Sequence, residues 1–295
     1  MIKKGIILAG GAGSRLYPMT AVVTKQLLPI YNKPLIFYPL ATLMTAGIRE
    51  ILVISQATNI PLFQKLLGNG DAFGISISYE IQDQPNGIAE AFLVGERFLD
   101  GNGTALILGD NIFFGNGLEE KARAATQQEH GATIFGYQVH DPERYGVATL
   151  AKKTQKVVAI HEKPSNPESN LAVTGLYFYD NTVVQRAKSL KPSARGELEI
   201  TDLNNTYIQD SSISLQILDT GIAWLDTGTF ESMLQASQFV EVLETRQGIK
   251  IACLEEIAYR QNWISEAQLL DRIEKIKNSP YADYLRLLIS TKLMA

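Results

Sequence analysis

Short β-branched runs alternate with segments of helical apolar spacing through the first half of the chain. Residues 4–8, 51–55, 75–81, 105–108 and 133–139 read as strands, and 35–46, 61–67, 88–99 and 118–128 as helices. Such alternation predicts an α/β fold with a mostly parallel central sheet and helices on both faces. In open sheets of that kind ligands bind beyond the carboxyl ends of the strands. The second half is mixed. Residues 146–150, 157–160 and 172–179 read as strands, with a turn near 152–154; 183–189 and 199–208 read as helices and 213–218 as a strand. After Thr229 the pattern is helical in pieces, at 230–247, 265–277 and 282–293. With no internal repeat, low-complexity stretch or long linker, the chain divides into an α/β core over 1–228 and a C-terminal helical region over 229–295. The helical region carries no motif chemistry and reads as a packing or subunit-interface layer.

Composition narrows the function. The 295 residues carry a net charge of −4, which disfavours a broad nucleic-acid surface. Apolar residues make up 45%, as in an ordinary packed protein. One cysteine, Cys253, excludes a disulfide within the chain and a paired-cysteine metal site, and fits a reducing cytoplasm. The N-terminus shows no signal peptide, and the longest apolar stretch, 34–48, contains Pro39 and is too short to span a bilayer. These features predict a cytoplasmic protein without a membrane partner.

The first strand runs into Gly10-Gly11-Ala12-Gly13-Ser14-Arg15-Leu16, with Lys25-Gln26-Leu27-Leu28-Pro29 behind it. Glycines let backbone N–H groups turn toward an anion, and Arg15 and Lys25 add fixed positive charge. The loop is not a P-loop, because the sixth residue from Gly10 is Arg15. Nor is it a dinucleotide fingerprint, because the third glycine is missing, and this disfavours a nicotinamide-dependent oxidoreductase. What remains is a loop suited to a polyphosphate.

These residues resemble the signature of the sugar-phosphate nucleotidylyltransferases, and further segments follow in that family's order. They are Gln82-Asp83-Gln84-Pro85-Asn86-Gly87, Leu108-Gly109-Asp110-Asn111, Arg144-Tyr145-Gly146-Val147, Glu162-Lys163-Pro164, Thr174-Gly175-Leu176-Tyr177, the run 196–202 and Trp224-Leu225-Asp226-Thr227-Gly228. The length, the Lys25–Pro29 segment and the run 255–260 resemble the thymidylyltransferase branch, acting on dTTP and glucose 1-phosphate. The resemblance implies a Rossmann-like nucleotidyltransferase fold, with sugar-binding elements mainly in 140–228.

It also implies the chemistry. The phosphate of a sugar 1-phosphate attacks the α-phosphorus of a nucleoside triphosphate and pyrophosphate leaves. The nucleophile is already an anion, so positioning and charge neutralisation matter more than a general base. By family position Arg15, Lys25 and Lys163 are the catalytic cations: Arg15 for the leaving pyrophosphate, Lys25 for the triphosphate, Lys163 for the sugar phosphate. Gly10, Gly11, Gly13, Ser14, Gln26, Gln82 and Gly87 are the nucleotide-binding set, with Gln82 on the base and Gly87 letting it lie close to the backbone. Asn111, Tyr145, Gly146, Glu162, Val173 and Glu197 are the sugar-phosphate set. Asp110 and Asp226 are the expected Mg²⁺ ligands, because magnesium takes hard oxygens, often one or two carboxylates plus phosphate and water. Family membership further implies a homotetramer and feedback inhibition by dTDP-L-rhamnose, with Cys253, Glu256 and Arg260 marking the region for an effector. Two other readings stay open: the same chemistry with UTP or another sugar phosphate, and a non-catalytic sensor, which has no need of the leaving-group arginine.

Overall fold

The apolar run at the N-terminus forms β1 (Lys4–Leu8), and its alternation sends successive side chains to opposite sides of the sheet. The structure is a computed structural model and describes residues 1–11 and 13–290. A small hairpin, β2 (Pro29–Ile30) and β3 (Lys33–Pro34), follows the glycine loop and leads into α1 (Phe37–Thr45). Then come β4 (Glu50–Ser55), α2 (Ile60–Leu67), β5 (Ser76–Ile81), α3 (Glu90–Val94), α4 (Glu96–Leu99), β6 (Thr104–Leu108), β7 (Asn111–Gly115) and α5 (Leu118–Thr126). The second half holds β8 (Ala132–Gln138), β9 (Gly146–Leu150), β10 (Val157–Glu162), β11 (Leu171–Tyr179), α6 (Val183–Ser189), α7 (Ile200–Gln209), β12 (Ile213–Ile217) and β13 (Ile222–Asp226). Four helices close the described chain: α8 (Phe230–Gln247), α9 (Leu254–Arg260), α10 (Glu266–Ile276) and α11 (Pro280–Ser290).

Among the described residues the central sheet has nine strands. β5, β4, β1 and β6 run parallel side by side; β11 lies antiparallel to β6 on one side and to β8 on the other, and β12 runs parallel to β8. The β9–β10 hairpin joins at the start of β11, where Val147 faces Ala172. β1 is flanked by β4 on one side and β6 on the other, so the chain diverges at its carboxyl end and opens the crevice in which such folds bind ligands. The glycine loop leaves β1 there, and Gly109-Asp110 leaves β6 beside it, held by Gly109 N–H donating to Leu8 O at 2.9 Å.

Alternation along the strands fills the core on both faces. Ile7 packs with Leu40, Leu43 and Met44 of α1, while Ile6 and Leu52 face Phe92, Leu99 and Tyr179 on the other side. The C-terminal helices belong to the first of these clusters, for Leu254, Leu269, Ile273, Leu285 and Leu288 are buried in it with the residues of α1 and β1. α8 packs on a third cluster with Leu16, Ile30, Leu35 and Tyr38. Its start is fixed by a capping box in which Thr229 and Ser232 exchange side-chain to backbone hydrogen bonds.

Three departures from the sequence pattern matter. The helix expected over 88–99 is two short helices separated at Gly95, which packs closely on Ile6 and Leu52. β7 and β13 form a separate antiparallel pair that periodicity did not announce. α9 occupies a stretch with no expected helix, and the helix expected over 282–293 begins at Pro280, its last three positions lying outside the described residues.

Candidate active site

Three adjoining cavities open at the carboxyl ends of β1 and β6. The first, about 190 Å³, is walled by Gly10, Gly11, Gly13, Ser14, Arg15, Lys25, Gln26, Asp110 and Gly228. The second, about 240 Å³, lies between the loop and Gln82, Pro85, Gly87, Ile88 and Glu197, again with Asp110 at its edge. The third, about 460 Å³, is lined by Asp110, Asn111, Tyr145, Gly146, Glu162, Lys163, Val173 and Asp226, with Arg15 at its mouth. Asp110 belongs to all three.

Local conformation aims these groups. Gly13 has φ +58, and a side chain there would run into Thr20, whose hydroxyl donates to Gly13 O at 2.8 Å. Lys25 begins a 3-10 turn, and its buried ammonium meets Asp110 Oδ2 at 2.7 Å. Gln26 is held by Thr24 Oγ1, which donates to its Oε1 at 2.7 Å. Lys163 sits just beyond β10 with φ +43, its N–H donating to Tyr145 O at 3.0 Å. A left-handed lysine before a proline is costly, and such strain gathers where a side chain must be directed. Its ammonium lies 3.3 Å from Glu162 Oε1, while Glu162 Oε2 accepts from Thr201 Oγ1 at 2.7 Å.

The two aspartates converge through the strand pair that the sequence did not announce. Asp226 is the residue of β13 opposite Asn111 on β7, one position from Asp110. Thr227 locks the junction, its N–H and hydroxyl both donating to Asp110 O, at 3.2 and 2.9 Å. The carboxylates differ in charge environment. Burial pushes Asp110 up, but the Lys25 ammonium and hydrogen bonds from Lys25 and Asn111 outweigh it and hold the group below the usual carboxylate range. Burial pushes Asp226 above that range against the pull of Arg144, and the Asp110 charge adds to the rise. Two adjoining carboxylates facing a phosphate-sized cleft make a donor set of the kind magnesium accepts.

Several predicted residues have partners within the protein that the motifs do not announce. Asn111 borders the third cavity, yet its amide is largely committed inward: Oδ1 accepts from Trp224 Nε1 at 2.7 Å and Gly175 N at 3.2 Å, and Nδ2 donates to Asp110 Oδ1 at 2.8 Å. Glu197 lies in the second cavity with Gln82, rather than in the third with Glu162. Gly87, at φ +104, lines the second cavity and also lets the Leu198 backbone pass close behind, because a Cβ there would fall on Leu198 O and N. Gln82 Nε2 donates to Glu90 Oε2 at 2.5 Å and to Gly87 O at 3.3 Å, so the amide is oriented before any base arrives. Cys253 is buried and outside every surface pocket described, whereas Arg260 lines a separate cavity with Thr45, Glu119, Arg123, Ile257 and Gln261.

Three further charged or polar groups stand at this site without a role assigned by the motifs. Arg144 donates to Asp226 Oδ2 at 3.3 Å; Arg195 reaches Glu199 at 2.9 Å, Glu162 at 3.5 Å and Glu197 at 3.8 Å; Thr201 fixes Glu162. All three stand inside or beside the quoted motifs, so their proximity to those motifs was the available signal.

A family-wide sequence pattern described as "Nucleotidyl transferase" matches residues 4–242. A glucose-1-phosphate thymidylyltransferase of Neisseria meningitidis is 54% identical over 282 residues, covering 96% of this chain and 98% of that one. The enzyme of the same name from Mycobacterium tuberculosis is 49% identical, covering 96% and 97%. Among solved structures, a Bacillus anthracis chain named as a candidate glucose-1-phosphate thymidylyltransferase, in complex with a sucrose, superposes with TM-score 0.74 at 42% identity over 80% of this chain and 94% of that one. A UDP-glucose pyrophosphorylase complexed with UDP-glucose superposes with TM-score 0.73 at 25% identity over 82% and 99%. The chain belongs to the nucleotidyl transferase family.

Proposed function

We propose that this chain is a glucose-1-phosphate thymidylyltransferase, joining dTTP and α-D-glucose 1-phosphate into dTDP-glucose with release of pyrophosphate, the first step toward dTDP-L-rhamnose and related deoxysugars. The observation that carries the reading is the position of Asp110, common to the glycine-loop cleft, the Gln82 chamber and the Glu162–Lys163 chamber. A triphosphate in the first, its base in the second and a sugar phosphate in the third would bring the reacting phosphates together beside this carboxylate.

In the reaction a phosphate oxygen of the sugar 1-phosphate bonds to the α-phosphorus as the bond to the bridging oxygen of pyrophosphate breaks. Mg²⁺ held by Asp110 and Asp226 would supply charge neutralisation for the phosphate oxygens. Arg15 neutralises the departing pyrophosphate, where negative charge accumulates. Lys25 serves the triphosphate and Lys163 the attacking phosphate, each already directed by Asp110 and Glu162. Gly10, Gly11, Gly13 and Ser14 wrap the triphosphate, and Gln26 and Gln82 serve the base side. Tyr145, Gly146, Glu162 and Val173 shape the sugar pocket, with carboxylate and backbone groups suited to hydroxyls. No histidine lines the three cavities among the described residues, which suits a nucleophile that arrives as an anion.

The rest of the reading is an assembly and a control. We infer a cytoplasmic homotetramer restrained by dTDP-L-rhamnose. The cavity lined by Arg123 and Arg260 supports the control, since guanidinium groups suit a diphosphate, although Glu119 and Glu256 each accept from one of them at 2.9 Å. No helix of the described residues is long and apolar enough to cross a membrane.

The deciding measurement is pyrophosphate release from glucose 1-phosphate and Mg²⁺, with dTTP and UTP compared side by side. Release with dTTP well ahead is the expected result. UTP ahead keeps the mechanism and overturns the base assignment, for the Gln82 amide can pair with either pyrimidine. Silence with both overturns the glucose 1-phosphate assignment and favours another sugar phosphate or a sensor.

A further inference from the structure

Each of the two converging carboxylates is paired with a basic side chain. Lys25 holds Asp110 at 2.7 Å. Arg144 holds Asp226 at 3.3 Å, and both line the third cavity with Asp110. Arg144 is built to stay there. It ends the 3-10 turn Pro142–Arg144; Asp141 accepts from its Nη1 at 2.6 Å, and its guanidinium lies over the Tyr145 ring at 5.3 Å. The Tyr145 ring in turn packs on Trp224, two residues before Asp226. Asp141 and Tyr145 therefore orient a cation that would otherwise be a mobile surface arginine.

We propose that Arg144 is the counter-cation of Asp226 in the metal-free enzyme, and that a divalent ion must displace it to gain that carboxylate. The proposal rests on the reading of Asp226 as a metal ligand. Its physical basis is competition: a guanidinium bonded to a carboxylate oxygen removes that oxygen from the donor set and repels an incoming cation. Lys25 stands in the same relation to Asp110. The pocket thus carries its own charge compensation while empty, and takes up the ion in exchange for two ion pairs.

The test is Mn²⁺ binding to the nucleotide-free, full-length protein, followed by the electron paramagnetic resonance signal of free Mn²⁺ at low ionic strength. Arg144→Gln is expected to bind Mn²⁺ about two- to fivefold more tightly than the parent, the range a partly exposed ion pair permits. Arg144→Lys keeps the charge and is expected to stay near the parent value, which a merely structural role would not predict. Asp226→Asn should weaken binding, and adding it to Arg144→Gln should remove the gain. Affinity in Arg144→Gln no tighter than the parent, with Asp226→Asn still weakened, overturns the counter-cation role and leaves the metal site standing. An Asp226→Asn protein that binds as the parent does, with the gain surviving in the double variant, overturns the metal role of Asp226 and the proposal with it. Matching circular dichroism and thermal midpoints across the variants establish that each is folded.

Discussion

At the scale of single residues, the site is a set of charges whose partners are already chosen. Asn111 illustrates how much rests on one side chain. It fixes Asp110 through Nδ2 and satisfies two buried donors, Trp224 Nε1 and Gly175 N, through Oδ1. Replacement by alanine leaves those donors unpaired, at a cost of about 1–3 kcal/mol each in a buried setting. It also leaves the Asp110 carboxylate held by Lys25 alone, and under the proposed role of Asp110 as a metal ligand the loss of such a partner typically costs about 10–100-fold. Asn111→Ala is therefore expected to lower kcat by about that factor while urea unfolding shows a stability loss of a few kcal/mol. Unchanged turnover in a destabilised protein would mean that Asn111 only supports the Trp224 indole. The sequence put Asn111 in the sugar-phosphate set, and the inward partners of its amide were not legible there, because a motif gives the neighbours of a position and not where its amide points.

At the scale of elements, a buried ion cluster ties the helical layer to the strand hairpin behind Lys25. Glu244 of α8 accepts from Lys33 at 2.7 Å, Lys250 at 2.7 Å, Asn32 at 2.7 Å and Ile251 N at 2.9 Å. Lys33 and Glu244 are both almost fully buried, so the pair has no solvent to fall back on. Breaking such a pair by removing one charge leaves the other stranded, at about 3–5 kcal/mol. Glu244→Gln is expected to lose stability on that order in urea at neutral pH. The sign of the pH dependence follows from the carboxyl. Burial pushes Glu244 up, but hydrogen bonds from Lys250 and Lys33 outweigh it, so its folded pKa lies below the ordinary glutamate value. Its contribution is complete above that ordinary value, about 4.3, and disappears as pH falls through the depressed one. The stability gap between parent and variant should accordingly narrow on acidification below about pH 4; a gap independent of pH would assign the loss to packing. This cluster was not legible beforehand, because Asn32 and Lys33 lie more than two hundred residues from Glu244 in the chain. The same reason hid β7 and β13, whose short runs become strands only against each other. The parallel strands β1, β4 and β6 were legible because burial on both faces writes continuous apolar runs into the sequence.

At the scale of the whole molecule, the C-terminal helices complete a core that the α/β unit begins. Cys253, Leu254 and Ala258 of the α9 region lie in the same cluster as Leu43, Met44 and Ile48, and Gln261 donates to Met44 O at 2.7 Å. α10 and α11 cover α9 in turn, with Leu269, Ile273, Leu285 and Leu288 buried. The inner face of this region thus packs on the α/β unit. Each large apolar side chain buried there contributes about 2 kcal/mol, against a total stability of roughly 5–15 kcal/mol for a domain. Ending the chain at Gly248 removes all of them and uncovers α1, which also packs against β1, β6 and β7. The shortened protein is expected to lose cooperative unfolding in urea and to bind no nucleotide, although every predicted catalytic residue remains in it. A truncated chain that unfolded cooperatively and kept its affinity for dTTP would separate the helical layer from the core and limit its role to assembly.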